Sequence, residues 1–155
     1  MKDLKAFVRE SNAIEGIIRQ PYNGEVASTK RFLEVPIVTI DSLCQLVEGL
    51  TIDKPAKLRR APGMDVRVGG HIPPPGGPGI VKQLQALLIK VNTREISAWE
   101  AHCSYETLHP FSDGNGRSGR ALWAWKMLKQ GEDPFALAFL HSFYYQTLRG
   151  QRHGK

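Results

Sequence analysis

The chain has 155 residues, enough for one domain with a buried core and too few for two. Its 41% apolar and 23% charged residues match an ordinary folded protein and exclude disorder over most of the length. A net charge of +6 favours anionic partners without choosing among nucleic acid, an anionic membrane surface and a phosphate-bearing ligand.

In chain order, residues 2–19 predict an amphipathic helix, with Leu4, Phe7, Val8, Ile14 and Ile18 on one stripe. Ser11 and Glu15 fall inside that stripe, an anomaly on the buried side of a helix. The mixture of charged and apolar residues in MKDLKAFVRESNAIEG is unlike a secretory leader. No apolar run anywhere approaches the ~20 residues of a membrane span, so no membrane partner is expected. Residues 25–34 are weakly helical and stop before Pro36. Residues 40–50 form a short helix carrying Leu43, Leu46, Val47 and Leu50, with Thr39 or Asp41 as its cap. Lys54, Lys57, Arg59 and Arg60, like Arg149, Arg152 and Lys155, read as solvated loop and tail charges.

Residues 64–72 alternate Val66 and Val68 and then meet Gly69-Gly70, the pattern of a small β-hairpin. The stiff loop PPPGGPG follows. Residues 80–92 return to helix, with Ile80, Val81, Leu84, Leu87, Leu88 and Val91 on one face. A helix over 95–108 carries Ile96, Trp99, Cys103 and Tyr105 and ends at His109, before Pro110. Another spans 117–130, closed by Gly131, with Lys126 and Lys129 in its last turns where cations suit the dipole. A last helix opens with Asp133 and Pro134 and runs to about Leu148. The sum is an all-α single domain with one small hairpin. Trp123, Trp125, Phe135, Phe139, Phe143, Tyr144 and Tyr145 supply core. Cys44 and Cys103, with no CxxC partner, read as buried reduced thiols, which suits a cytoplasmic protein.

The segment His109-Pro-Phe-Ser-Asp-Gly-Asn-Gly-Arg-Ser-Gly-Arg120 lies between two predicted helices. Gly114, Asn115 and Gly116 can aim successive backbone N–H groups into one concavity, a nest for an anion. The following helix points its unpaired donors the same way, and Arg117 and Arg120 lie near that mouth. Together these features describe a polyphosphate site. Asp113 would repel phosphate unless a cation such as Mg2+ bridged the two. His109 titrates near neutral pH and can take a proton from an attacking hydroxyl. Phe111 would peg the loop to the core. His102, Glu106 and His109 fall at metal-ligand spacing, but no second cluster completes a zinc shell, so His102 reads as a packed core histidine.

This segment is similar to the Fic-family signature H-x-F-x-[D/E]-G-N-G-R-x-x-R at every fixed position, and Ala101–Leu108 resembles the helix that leads into it. The resemblance implies a compact all-α Fic-type domain over residues 1–155 that moves AMP from ATP to a hydroxyl side chain of a target protein. His109 would be the general base, and Asp113 would hold Mg2+. Gly114, Asn115 and Gly116 would bind the α- and β-phosphates, Arg117 would stabilise the leaving pyrophosphate, and Arg120 would hold the γ-phosphate. Ser11-Asn-Ala-Ile-Glu15-Gly16 resembles the family's inhibitory motif [S/T]-x-x-x-E-[G/N], which implies an N-terminal inhibitory helix over 1–20 with Glu15 paired to Arg120. The hairpin at 64–72 stands where the family carries a flap that aligns the target segment, with Val66 and Val68 on its edge and His71 and Ile72 near its tip. One or two of the C-terminal aromatic residues would wall the adenine. The chain would be a minimal Fic core with no appended domain. Two other activities fit the signature: removal of AMP from a modified protein, and transfer of a different nucleotide or phosphate-containing group. A nucleic-acid-binding module built on the basic clusters is the non-enzymatic reading and the weaker one. The target protein is unspecified, and the apolar positions within 25–50 suit either intramolecular packing or a dimer.

Overall fold

Six α-helices make up the regular structure of residues 3–136, the part of the chain that the computed structural model describes. They are α1 (Leu4–Ile14), α2 (Asn23–Glu34), α3 (Ile40–Leu50), α4 (Pro78–Val91), α5 (Ala98–Leu108) and α6 (Asn115–Lys129). Among the described residues no strand is formed; the only β pairings are the isolated bridges Leu58–Phe111 and Val68–His71. The fold is all-α. No described helix is long and apolar enough to cross a membrane.

The α6 helix is the centre, with α1, α2, α3 and α5 packed around it and α4 packed on α5. From Asn115 to Met127 every residue of α6 except Gly116 is buried, as expected of a helix with no solvent face. The spacing of apolar residues sets the inward faces of the outer helices. Phe7 and Val8 in α1, Leu43, Leu46 and Val47 in α3, and Ile80, Leu84 and Val91 in α4 are all buried. The Thr39 side chain caps α3 by accepting from Ser42 N at 3.0 Å, and Ser97 caps α5 by accepting from Glu100 N at 3.1 Å.

Several expectations need correction. The α1 helix stops at Ile14 because Gly16 turns the chain with φ 77°, so Ile18 leaves the stripe and is 80% exposed. The α5 helix begins after its cap at Ser97, which leaves Ile96 outside it. Its buried face is Ala98, Ala101, His102, Tyr105 and Leu108, one step around from the Trp99–Cys103 stripe. Small alanines let α5 approach its neighbours, and Trp99 and Cys103 are left exposed. Cys44 is half-buried, so neither cysteine is a fully buried thiol. Lys126 does not face solvent. It is buried and donates to Val91 O at 2.8 Å and to Thr93 O, closing the C-terminal end of α4 rather than its own.

The hairpin is reduced to one rung around Gly69-Gly70: Val68 N donates to His71 O at 3.1 Å and His71 N to Val68 O at 2.9 Å. Val66 and Val68 are half-buried between exposed neighbours, so the alternation holds without a strand ladder. Trp123 and Trp125 are core, and Phe135 packs edge-on against Phe7 at 5.7 Å. Asp133 accepts from Phe135 N at 2.8 Å, as a cap would. The rest of the expected last helix, with Phe139, Phe143, Tyr144, Tyr145 and the basic residues 149–155, lies outside the described residues.

The α2–α3 contact depends on Gly49, where an added Cβ would lie 1.9 Å from Ser28 Oγ and 2.4 Å from Ser28 Cβ. Gly49→Ala is expected to destabilise the protein by about 1–3 kcal/mol, through forced separation of the two helices. Urea unfolding followed by circular dichroism measures this, and an unchanged midpoint would refute it.

Candidate active site

Pro110 has no N–H and disfavours helical backbone in the residue before it, so α5 ends at His109. His109 takes a left-handed conformation, φ 51° and ψ 62°, and its N–H still bonds Tyr105 O at 2.8 Å. The chain then pairs with residues 57–59. Arg59 N donates to Pro110 O at 2.9 Å, and Ser112 N donates to Lys57 O at 2.9 Å. Phe111 enters the core at 1% exposure, as the peg the sequence suggests.

The Asn115 side chain closes the loop from within. Its Oδ1 accepts from Phe111 N at 2.9 Å and its Nδ2 donates to Phe111 O at 2.8 Å. Both polar ends of this amide are therefore engaged within the loop. Gly114 is left-handed, with φ 76°, and a Cβ there would crowd Thr51 Cγ2 at 3.0 Å. The first bond inside α6 runs from Ser118 N to Gly114 O. The N–H groups of Asn115, Gly116 and Arg117 thus lie at the helix mouth, where four donors lack intrahelical partners.

Both arginines approach this mouth from α6. Arg117 is buried, donates to Leu50 O, and lies 3.8 Å from Glu25. Arg120 is buried too. Its Nε donates to Ser11 Oγ at 2.8 Å, and its Nη2 donates to Ser11 O at 3.0 Å and to Glu15 Oε1 at 2.6 Å. The two polar residues of the α1 stripe are therefore the partners of the second arginine. The Glu15 carboxylate also lies over the helix mouth, where a Cβ on Gly116 would fall 2.1 Å from Oε1. Asp113 is exposed at the rim and accepts from Gly114 N at 2.7 Å.

His109 is half-buried, with its ring beside the Glu106 carbonyl. Burial, followed by the charge of Arg59, holds its pKa below the ordinary 6.5, so the imidazole is neutral at pH 7. His102, one turn before Glu106, is almost fully buried, and burial takes its pKa down to about 4. The neighbouring carboxyl of Glu106 goes the other way. Burial raises its pKa to about 8, against the pull of Arg120 and with the help of Glu15. The hairpin tip leans on α5 through His71 Nε2, 2.9 Å from Thr107 O, and Ile72 is 69% exposed beside it.

Sequence reasoning missed three residues. Arg59, read as a solvated charge, is fully buried and bonds the carbonyls of Leu108 and His109. Lys54, Lys57 and Arg60 around it are exposed, and a basic run carries no sign of which member turns inward. Glu25 is fully buried, bonded by Arg19 at 2.7 Å, Tyr22 N at 2.7 Å and Asn12 Nδ2 at 3.1 Å. Burial would raise the Glu25 carboxyl, but these donors outweigh it and hold the pKa below the usual value. Asn12, next to Ser11, is fully buried by the same contact.

A model of the Fic/DOC family matches residues 38–127. The chain is 36% identical over 98 residues to "Protein adenylyltransferase Fic" of Culex quinquefasciatus, covering 57% of this chain and 19% of that protein. The protein of the same name from Aedes aegypti is 33% identical over 98 residues, and that from Drosophila erecta 36% over 93 residues. The chain spans about a fifth of the length of these relatives.

The Glu106 carboxyl makes stability pH-dependent. Its folded pKa of about 8 lies above the ordinary 4.5, so its stabilising contribution is full below 4.5 and is lost as pH rises through 8. His102, half protonated in the unfolded chain at pH 6.5 and neutral in the fold, adds a small rise over the same window that wild type and Glu106→Gln share. Between pH 6.5 and 8 the wild type is expected to lose about 2 kcal/mol that Glu106→Gln retains. Denaturant titration at the two pH values checks this; parallel losses in both proteins would contradict it.

Proposed function

The chain belongs to the Fic/DOC family, and from that membership we propose that it is a protein adenylyltransferase restrained by its own Glu15. The single observation that carries the reading is the Glu15 carboxylate. It lies 2.6 Å from Arg120 Nη2 and directly over Gly116, so an internal anion occupies the ground where the site would take a phosphate.

In the proposed reaction His109 takes the proton from a target hydroxyl, whose oxygen attacks the α-phosphorus of ATP while pyrophosphate departs. Lowering of the His109 pKa supports this role, because the base is then free of its proton at neutral pH. The N–H groups at the start of α6 hold the phosphate oxygens, Arg117 offsets charge on the leaving pyrophosphate, and Arg120 receives the γ-phosphate once Glu15 withdraws. Positioning and charge stabilisation are the protein's contribution; no covalent intermediate on the chain is required. Ser11 and Glu15 together make the restraint, Ser11 by fixing the Arg120 fork and Glu15 by occupying it. Val66 and Val68 offer edge groups for pairing with an extended target segment, and His71 and Ile72 flank its hydroxyl.

The residues present suit Mg2+. Among the described residues no three His, Cys, Asp or Glu side chains converge on a point, and Asp113 supplies one hard oxygen ligand at the rim. One carboxylate completed by phosphate oxygens and water is a donor set that magnesium accepts. Bound there, the ion would neutralise phosphate charge. The free thiols of Cys44 and Cys103 suit a reducing, cytoplasmic setting.

Incubation with Mg-ATP and intact-mass analysis tests the proposal on wild type, Glu15→Gly and Glu15→Gly/His109→Ala, with any self-modification as the readout. The expected result is one added AMP in the single variant, forming about tenfold faster or more than in wild type once the buried Arg120 loses its competitor. No addition should appear in the double variant. Equal labelling of wild type and Glu15→Gly would overturn the restraint, and labelling of the double variant would overturn the base. The labelling rate of Glu15→Gly should fall on acidification with a midpoint below pH 6.5, since burial and Arg59 move protonation of His109 to lower pH.

A further inference from the structure

We propose that Arg59 is the positioning residue that fixes His109 in register with the flap. The inference rests on the transferase reading for its functional meaning and on hydrogen-bond geometry for its structure.

Arg59 is 0% exposed, yet its side chain is matched to backbone carbonyls rather than to a carboxylate. Nε donates to His109 O at 2.8 Å and Nη2 to Leu108 O at 3.1 Å. Nη1 donates to Met64 O and to Pro74 O, both at 2.9 Å. Leu108 and His109 lie where α5 ends and its carbonyls lack intrahelical partners. Met64 and Pro74 are the two roots of the segment that carries Val66, Val68 and His71. Backbone bonds extend the same clamp, from Arg59 N to Pro110 O and from Gly77 N to Arg59 O, both 2.9 Å.

A planar fork with five donors can satisfy carbonyls on three chain segments at once, whereas an ammonium on a flexible stem cannot hold that geometry. His109 needs such restraint. Its left-handed backbone, φ 51°, is one that a non-glycine residue keeps only when its surroundings impose it. A target strand that draws the flap roots inward therefore moves the His109 carbonyl through a single intervening side chain. The fork also places a positive charge beside the imidazole. Besides burial, Arg59 and His71 disfavour protonation of His109, while Glu15 and the Glu106 carbonyl favour it.

Two variants in the Glu15→Gly background separate the fork from the charge. Arg59→Lys keeps the charge and loses the fork; Arg59→Gln loses both. Both are expected to lower kcat at least about tenfold with the KM for ATP unchanged, because Arg59 acts on the base rather than on the nucleotide. The NMR titration of the His109 imidazole should shift to higher pH in Arg59→Gln and stay in place in Arg59→Lys. A variant that keeps the parent's helical circular dichroism and also its kcat would overturn the proposal. So would an unmoved His109 titration in folded Arg59→Gln. Should Arg59→Gln fail to fold, the conservative lysine variant decides through its kcat. The titration needs no turnover, so an inactive Glu15→Gly parent would sink the transferase reading while the link between Arg59 and His109 stays measurable.

Discussion

A helix enclosed on every side has to satisfy its own polar residues, and α6 does so by reaching out to each neighbour in turn. Arg117 takes the Leu50 carbonyl at the end of α3, Trp125 the Val35 carbonyl after α2 (2.9 Å), and Lys126 the carbonyls that finish α4. Ser118 shares a hydrogen bond with the buried Tyr105 hydroxyl of α5 at 2.8 Å. Each of these contacts removes a penalty that a buried polar group would otherwise impose, and the first three meet carbonyls at the ends of α3, α2 and α4. The mouth of α6 is framed by contacts of the same kind: Ser118 N bonds Gly114 O and the Asn115 amide ties the loop to Phe111, so the remaining backbone donors share one direction.

Neighbouring groups of opposite tendency share this enclosure. His102 is held neutral far below its ordinary pKa, Glu106 is held neutral far above its own, and the arginine that both feel is bonded by Ser11 and Glu15. One full ion pair beside two silent titratable groups is a cheaper arrangement in a low-dielectric interior than three separate charges.

The signature loop was legible because its residue types answer unusual backbone demands. Gly114 is left-handed, His109 stops a helix before proline, and Phe111 can only be an anchor. The α3 boundaries followed from the Thr39 cap and the apolar repeat through Leu50, and the structure has the same limits, Ile40–Leu50. Ser11 and Glu15 were visible as polar groups on an apolar stripe, though Glu15 proves to lie just past the end of α1 rather than within it. What stayed hidden depends on partners distant in sequence. Arg59 is buried only because residues 64, 74, 108 and 109 converge on it, and local pattern does not report convergence. Asn12 and Glu25 are hidden in the same way, each looking like an ordinary surface residue until the other is in place. In α5 the apolar residues pointed to one face while alanines and a histidine formed the packed one.

The attachment of the N-terminal segment is divided between two anchors of unequal strength. Asn12 is fastened to Glu25, which Arg19 and the Tyr22 amide hold in turn and which lies 3.8 Å from Arg117. Glu15 lies beyond the last helical turn, 39% of its side chain open to solvent, and is followed by Gly16 with φ 77°. With that exposure, rotation of the Glu15 side chain about its own bonds would part its carboxylate from Arg120 while Asn12, Phe7 and Val8 keep α1 docked and Ser11 keeps its hold on the guanidinium. Parting of this kind is a local opening, not the undocking of a helix. Such an opening would leave the packing of the six helices unchanged, and would let the population of a single side-chain state decide whether another anion can reach Arg120.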